Sequence, residues 1–253
     1  MLAEFMSINI FGFFLIFSRV GTALMLMPGF SAVYVTVPIR LAFGLAISFV
    51  VAPVIMPIMP VIPSTVTAII LMVIAEAFIG VFMGTIARIA LGALQVAGTL
   101  TAMLSSLANA LIQDPIAEQQ SSVVSSFLTI IGVIILFVTD MHHLMIRAVI
   151  ESYSLFLPAA AMSLGDFAMI VARNVSDSFA LGLQIASPFV MVGMAYYVGL
   201  GVLGRLMPAL PLFFFMMPIQ IGLQFFVMAM SLSVMMMVFL KHFQNSFQIF
   251  LVP

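Results

Sequence analysis

The chain has 253 residues, 65% of them hydrophobic and 6% charged, with a formal net charge of −1 at pH 7 and no cysteine. A soluble domain is about one quarter charged, so an ordinary water-soluble fold is excluded. The charge balance offers no basic surface for nucleic acid or anionic lipid, and the lack of cysteine excludes disulfides, thiolate catalysis and cysteine-based metal sites. Uncharged runs at 41–75, 89–113, 119–139, 178–204 and 206–240 each reach the roughly 20 residues that span hydrocarbon. The reading is an all-α chain of the integral-membrane type, or a subunit buried in a membrane complex.

The N-terminus carries Glu4 as its only early charge and has a long apolar stretch with no small-x-small site close behind it. It does not read as a signal peptide and is expected to be retained. The first predicted helix covers 8–27, with Arg19 inside it. An intramembrane arginine is costly unless it faces protein, water or an anion. Arg19 lies too far from either end to snorkel easily, so it is expected in an interface. Pro28-Gly29 ends this helix. The second begins at Pro38, where proline suits a first turn, and runs to about residue 54, with Arg40 in the first turn. Pro53, Pro57, Pro60 and Pro63 make a broken apolar connection.

No clear break interrupts 65–112. As a single helix this segment would be about 70 Å long, more than twice the roughly 30 Å hydrocarbon core. Glu76, Gly80, Gly84, Arg88 and Gly92 recur at every fourth residue and share one face, where small residues let another backbone approach. Glu76 and Arg88 are three turns apart and cannot pair. Each needs a partner from elsewhere; contact with another chain is expected, and packing within the chain is the alternative.

Residues 105–126 are the most polar stretch, and Asp114-Pro115 is a turn signal. Such a loop cannot face lipid unless it lines a cavity or is buried in protein; a plain solvent loop is the other reading. The next helix covers 123–138. Asp140, His142, His143, Arg147 and Glu151 follow at helical neighbour spacings. A metal site or proton relay is the sharper reading. Adjacent histidines diverge by about 100° around a helix, so local pairing at a helix start is favoured and no metal is expected. Pro158 ends that helix, and 164–177, with Asp166, Arg173 and Asp177, reads as the most water-compatible connection.

The chain closes with a long apolar hairpin. Arg205 is the only charge between 178 and 240, and Pro208 and Pro211 mark the bend, since proline lacks the amide proton a helix interior uses. Leu26-Met27-Pro28 before Pro38-Ile39 and Leu206-Met207-Pro208 before Pro218-Ile219 share a spacing, but common residues make this too weak for an inverted repeat. The late cluster of methionines could seal against varied passengers, although plain packing accounts for it as well. There is no Gly-x-Ser-x-Gly, phosphate loop, His-Glu-x-x-His or carboxylate pair at catalytic spacing. No catalytic or cofactor residue is nominated, and the chain is expected not to be an enzyme.

Several stretches, in order, resemble the FliR family of flagellar export proteins, whose relatives serve virulence type III secretion. They are Phe17-Ser18-Arg19-Val20-Gly21 with Met27-Pro28-Gly29-Phe30 and Val37-Pro38-Ile39-Arg40-Leu41; Glu76 with Gly80 and Gly84; Asp114-Pro115 before Phe127-Leu128; His142-His143-Leu144 with Leu157-Pro158; and Gly204-Arg205-Leu206-Met207-Pro208 to Phe213-Phe214 and Pro218. The match spans nearly the whole chain. Pro211 stands where flagellar relatives often have Asn.

The resemblance implies a subunit of the flagellar type III export gate, with FliP-like and FliQ-like subunits and an FlhB-like component as partners and unfolded flagellar proteins as passengers. It implies a FliP-like part over 1–165 and a FliQ-like hairpin over 166–253, in a helical pore assembly at the bacterial inner membrane and flagellar basal body. The polar loop, about 105–122, would plug the channel through Leu107, Asn109, Gln113, Asp114, Pro115 and Glu118. Arg19, Arg40, Glu76, Gly80, Gly84 and Arg88 would serve subunit packing, and Arg205, Pro208 and Pro211 would form the hairpin tip, facing the cytoplasm. A six-helix secondary transporter or small-solute channel is the alternative, and a scaffold that nucleates the gate is a third reading. The transporter would need convergent polar groups at mid-depth.

Overall fold

The computed structural model describes residues 2–107, 111–113, 120–158, 164–207 and 212–251. In chain order these form α1 (Leu2–Leu26), α2 (Val37–Ile55) with a short 3-10 turn at Met56–Ile58, α3 (Val66–Leu104), β1 (Leu111–Gln113), β2 (Gln120–Ser122), α4 (Val123–Val138), α5 (Met141–Leu155), α6 (Leu164–Leu206) and α7 (Leu212–Gln248). The all-α expectation holds, with one addition. β1 and β2 pair antiparallel, Leu111 opposite Ser122 and Gln113 opposite Gln120, so the polar stretch is closed at its base by a short ladder.

Helix ends follow local chemistry. Thr36 is extended at the start of α2 and Pro38 sits in its first turn, where a missing N–H costs no helical bond. The Arg40 guanidinium turns back to donate to the Val35 and Ala32 carbonyls at 2.9 and 2.6 Å. α3 stops at Leu104, earlier than expected. There Ser106 takes a left-handed conformation (φ 60°), and the Leu107 amide donates to the Ala102 carbonyl, the 6→1 bond of a Schellman-type helix stop. Residues 164–177, read from sequence as a connection, belong to α6 instead. Phe167, Asn174 and Ser178 are buried there at helical spacing, and Asp166 lies in the first turn, where the helix dipole favours an acid.

Contacts divide the chain into two units. The first comprises 1–90, 137–175 and 243–253; the second comprises 91–136 and 176–242. In the first, α1 buries Leu15, Ile16, Arg19, Val20, Ala23 and Leu24, a stripe at three- and four-residue spacing that Met27 continues just beyond the helix. Gly80 and Gly84 of α3 lie against the backbone of α1 at Arg19 and Ala23, leaving no room for a Cβ. Gly29 combines φ +83° with the Phe137 ring pressed where a side chain would begin, so only glycine fits on both counts. Phe82 meets Phe156, Phe167 and Phe250 edge-on, with centroids 4.5–6.3 Å apart.

In the second unit, α3, α4, α6 and α7 bury Leu94, Leu128, Leu136, Phe189, Met235 and Phe239. Gly98 abuts the Ser125 backbone and Gly182 abuts Val96, close approaches of the small-residue type used between membrane helices.

Four helical segments are long and apolar enough to cross a membrane, and a fifth counts if α4 and α5, bent by 73°, form one span. In an apolar 18-residue window of each of the four, only 22–28% of the residues are buried within the chain. Phe49, Val50 and Val54 on α2, Met191 and Val198 on α6, and Phe214, Met230 and Met237 on α7 all point outward.

Candidate functional site

The first unit is built around a buried cation. Arg19 has no solvent exposure, and Glu76 has 2%. Arg19 Nε donates to Glu76 Oε2 at 2.7 Å and Nη2 to Oε1 at 3.1 Å, a bidentate pair between α1 and α3. The remaining donors reach α5 and its end: Nη1 to Ser152 Oγ at 3.1 Å and Nη2 to the Phe156 carbonyl at 2.9 Å. Arg19 Cζ lies 3.8 Å above the Tyr153 ring. A charge this deep survives only when its fork is filled, and here carboxylate, hydroxyl, carbonyl and ring supply every side. Ser18 Oγ to the Val73 carbonyl and Thr22 Oγ1 to the Ala77 carbonyl, both 3.2 Å, stitch α1 to α3 on either flank.

Arg19 is therefore buried between helices, and for Glu76 the intramolecular alternative is the one found. Gly80 and Gly84 are likewise filled by α1. Arg88, further along the same stripe, is exposed, and Gly92 has nothing near a would-be Cβ. The stripe thus divides into a covered half and an open half. Chemically the node has no spare carboxylate oxygen and no nucleophile; it holds helices together.

The second unit carries the root of the polar loop. Gln220 of α7 donates through Nε2 to the Leu104 carbonyl and to Tyr197 Oη at 2.9 Å, and accepts from Ser106 Oγ at 3.1 Å. One amide thereby closes the end of α3, steadies the left-handed Ser106 and reaches α6. Gln224, one turn on, donates to the Phe189 carbonyl at 3.4 Å, while its Oε1 is buried without a partner. Leu107, the first nominated loop residue, lines a small cavity with Ser105 and Gln224. Gln113 pairs through its backbone with Gln120. Asn109, Asp114, Pro115 and Glu118 lie outside the described residues.

Residues 10–246 match the family described as Bacterial export proteins, family 1. The flagellar biosynthetic protein FliR of Caulobacter vibrioides is 34% identical over 236 residues, covering 93% of this chain and 94% of the relative. The chain belongs to the FliR family of bacterial export proteins. The FliR proteins of Bacillus subtilis and Aquifex aeolicus are 25% and 27% identical, covering 64% and 69% of this chain and 64% and 67% of the relatives. The chain is a membrane protein and a subunit of the flagellar export apparatus; the transporter reading is not favoured.

In this FliR-family chain, Arg205 falls in the last turn of α6, where a cation complements the helix dipole, and it is exposed. Pro208 and Pro211 lie outside the described residues. Tyr196 Oη donates to the Met216 carbonyl at 2.6 Å, tying α6 to α7 beneath the bend. At the α4–α5 break, Asp140, His142 and His143 gather, and Arg147 pairs with Glu151 at i,i+4, as local pairing predicted.

Sequence reading missed Ser152, Tyr153 and Phe156 around Arg19, and Gln220 with Gln224. The glutamines had a visible signal: two amides one helical turn apart in a run otherwise almost wholly apolar.

Proposed function

We propose that this chain forms the flagellar type III export gate together with FliP-like and FliQ-like subunits, meets an FlhB-like component, and closes the channel for unfolded flagellar proteins with its polar loop. Residues 1–165 would act as the FliP-like part and 166–253 as the FliQ-like hairpin, at the inner membrane within the flagellar basal body. Arg88 and Arg40 would join subunit packing, and Arg205 with Pro208 and Pro211 the cytoplasm-facing tip. The role is structural, not enzymatic.

The observation that carries this reading is the burial deficit. In the apolar window of each spanning-length helix only 22–28% of the residues are buried by the chain itself, and residues 10–246 match an export family. Lipid can cover some of that surface. Glycine and arginine positions left open on α3 ask instead for protein, because open small-residue faces admit another backbone. A gate of this kind excludes ions by steric filling and dewetting, and its energy comes from elsewhere.

The test is deletion of residues 107–121 in the native complex. Persisting assembly with an ion-leaky membrane supports the plug. Loss of assembly favours the nucleating scaffold. Native mass spectrometry that finds a monodisperse monomer, with no partner subunits, would overturn the gate reading altogether.

A further inference from the structure

We propose that Asp140, His142 and His143 form a binding site for one divalent transition-metal ion of the zinc type, at the bend between α4 and α5. The ligand-type atoms of the three residues lie within 4.8 Å of one another. The two imidazole rings converge, with centroids 4.0 Å apart, despite the roughly 100° that separates adjacent residues around a helix. Side-chain rotation brings them together. The His142 ring leans on Phe137, stacked at 4.9 Å and 13°, while His143 turns toward Asp140.

Four details point to a ligand rather than a closed local network. First, His143 Nδ1 and Asp140 Oδ1 are 3.4 Å apart. That exceeds the roughly 2.7–3.2 Å of a good N–H···O bond. It matches the edge of a tetrahedron whose metal–ligand bonds are about 2.0–2.1 Å, since two such ligands sit about 3.3 Å apart. Second, Asp140 precedes α5 yet makes no capping hydrogen bond with its side chain, so its carboxylate is not committed to the use aspartate ordinarily has there. Third, the left-handed turn at Asp140 (φ 59°), which ends α4, sets its carboxylate together with the two imidazoles. Fourth, His142 Nδ1 is buried and has no hydrogen-bond partner, which in a folded protein asks for an explanation.

Access is open from the other side: the His143 and Asp140 side chains are 71% and 76% exposed. Two imidazoles and one carboxylate are the donor set of an open zinc site, with water in the fourth position. The same donors accept nickel, cobalt or copper, so the chemical class is a borderline divalent ion. The nearby cation, Arg147, is paired with Glu151. The N-terminal dipole of α5 opposes a cation by at most about 1–2 kcal/mol, small beside transition-metal coordination. A bound ion would tie the residue before α5 to its first turn.

The test uses the full chain, purified with its co-assembling subunits through an affinity tag free of histidine, stripped with chelator and titrated with zinc chloride alone. One saturating equivalent per chain is expected. Asp140→Ala, His142→Ala and His143→Ala should each weaken binding by more than the roughly 10- to 100-fold that loss of an outer partner costs. His242→Ala, at the third histidine of the chain, should leave binding unchanged. Should a variant fail to assemble, cobalt replaces zinc in the unmutated complex, where the strong visible absorption of tetrahedral cobalt supports the site. No saturable zinc binding, binding insensitive to all three substitutions, or an octahedral cobalt spectrum would overturn it.

Discussion

Arg19 and Glu76, 57 positions apart in sequence, form a bidentate ion pair in which neither side chain is more than 2% exposed. The pair fixes α1 against α3, and its spare donors draw in the end of α5. Three helices must therefore be in place before the charge is satisfied, which makes the node a checkpoint for folding of the first unit.

Removing one partner strands the other. Arg19→Met or Glu76→Leu alone should destabilise the chain by about 3–5 kcal/mol, seen as lost accumulation and a lowered melting temperature in detergent. The double substitution should recover much of that loss. A double mutant as unstable as the sum of the singles would show that the two residues act independently.

Along α3, glycine replacements should sort by neighbour. Gly80→Val and Gly84→Val drive a side chain into the α1 backbone and should cost about 1–3 kcal/mol or more. Gly92→Ala meets nothing within 4 Å among the described residues and should stabilise the isolated chain by up to about 1 kcal/mol. If Gly92→Ala also weakens co-purification of partner subunits, the open half of the stripe is an assembly face. Unchanged subunit recovery would argue against one there.

Gln220→Leu keeps the volume but removes every polar contact of the amide. The Leu104 carbonyl, Ser106 hydroxyl and Tyr197 hydroxyl lose their shared partner; the exposed Ser106 and Tyr197 can turn to solvent, so the cost falls mainly at the half-buried Leu104 carbonyl, at roughly 1–3 kcal/mol. Hydrogen exchange read by mass spectrometry should show faster exchange at the Ser105 and Leu107 amides, which bond at the end of α3. Protection should be unaltered at Leu94, deep within the helix. Uniform loss of protection across the second unit would mean global unfolding instead.

Much of the architecture was legible because its causes are local. The end of α1 before Pro28, the start of α2 beside Pro38 and the extent of α4 follow from proline, glycine and apolar period, and each was placed within about a residue or two. What was not legible depends on distant partners. α3 ends at Leu104 because Gln220 accommodates the stop, from 116 positions away. Residues 164–177 look solvated by composition, yet Phe167, Asn174 and Ser178 form a buried stripe once the rest of the first and second units supply surfaces for it. The partner of Glu76 could be demanded from sequence but not chosen: helical spacing excluded Arg88, and nothing local separated Arg19 from Arg40. Convergence of two adjacent imidazoles was missed because it depends on rotamers, which helical periodicity does not fix.

The uneven exposure of α3 has a consequence for how this protein can be handled. Val66, Ile70, Leu71, Ile74, Phe78 and Val81 face outward, a run of about 22 Å at the helical rise that fits within about 30 Å of hydrocarbon. Further along, Ala90, Leu91, Ala93, Leu94, Ala97 and Ala102 are buried by the chain's own packing. Detergent or lipid is therefore needed along the first half of α3, and stripping it away should make that half sticky while the second half stays packed.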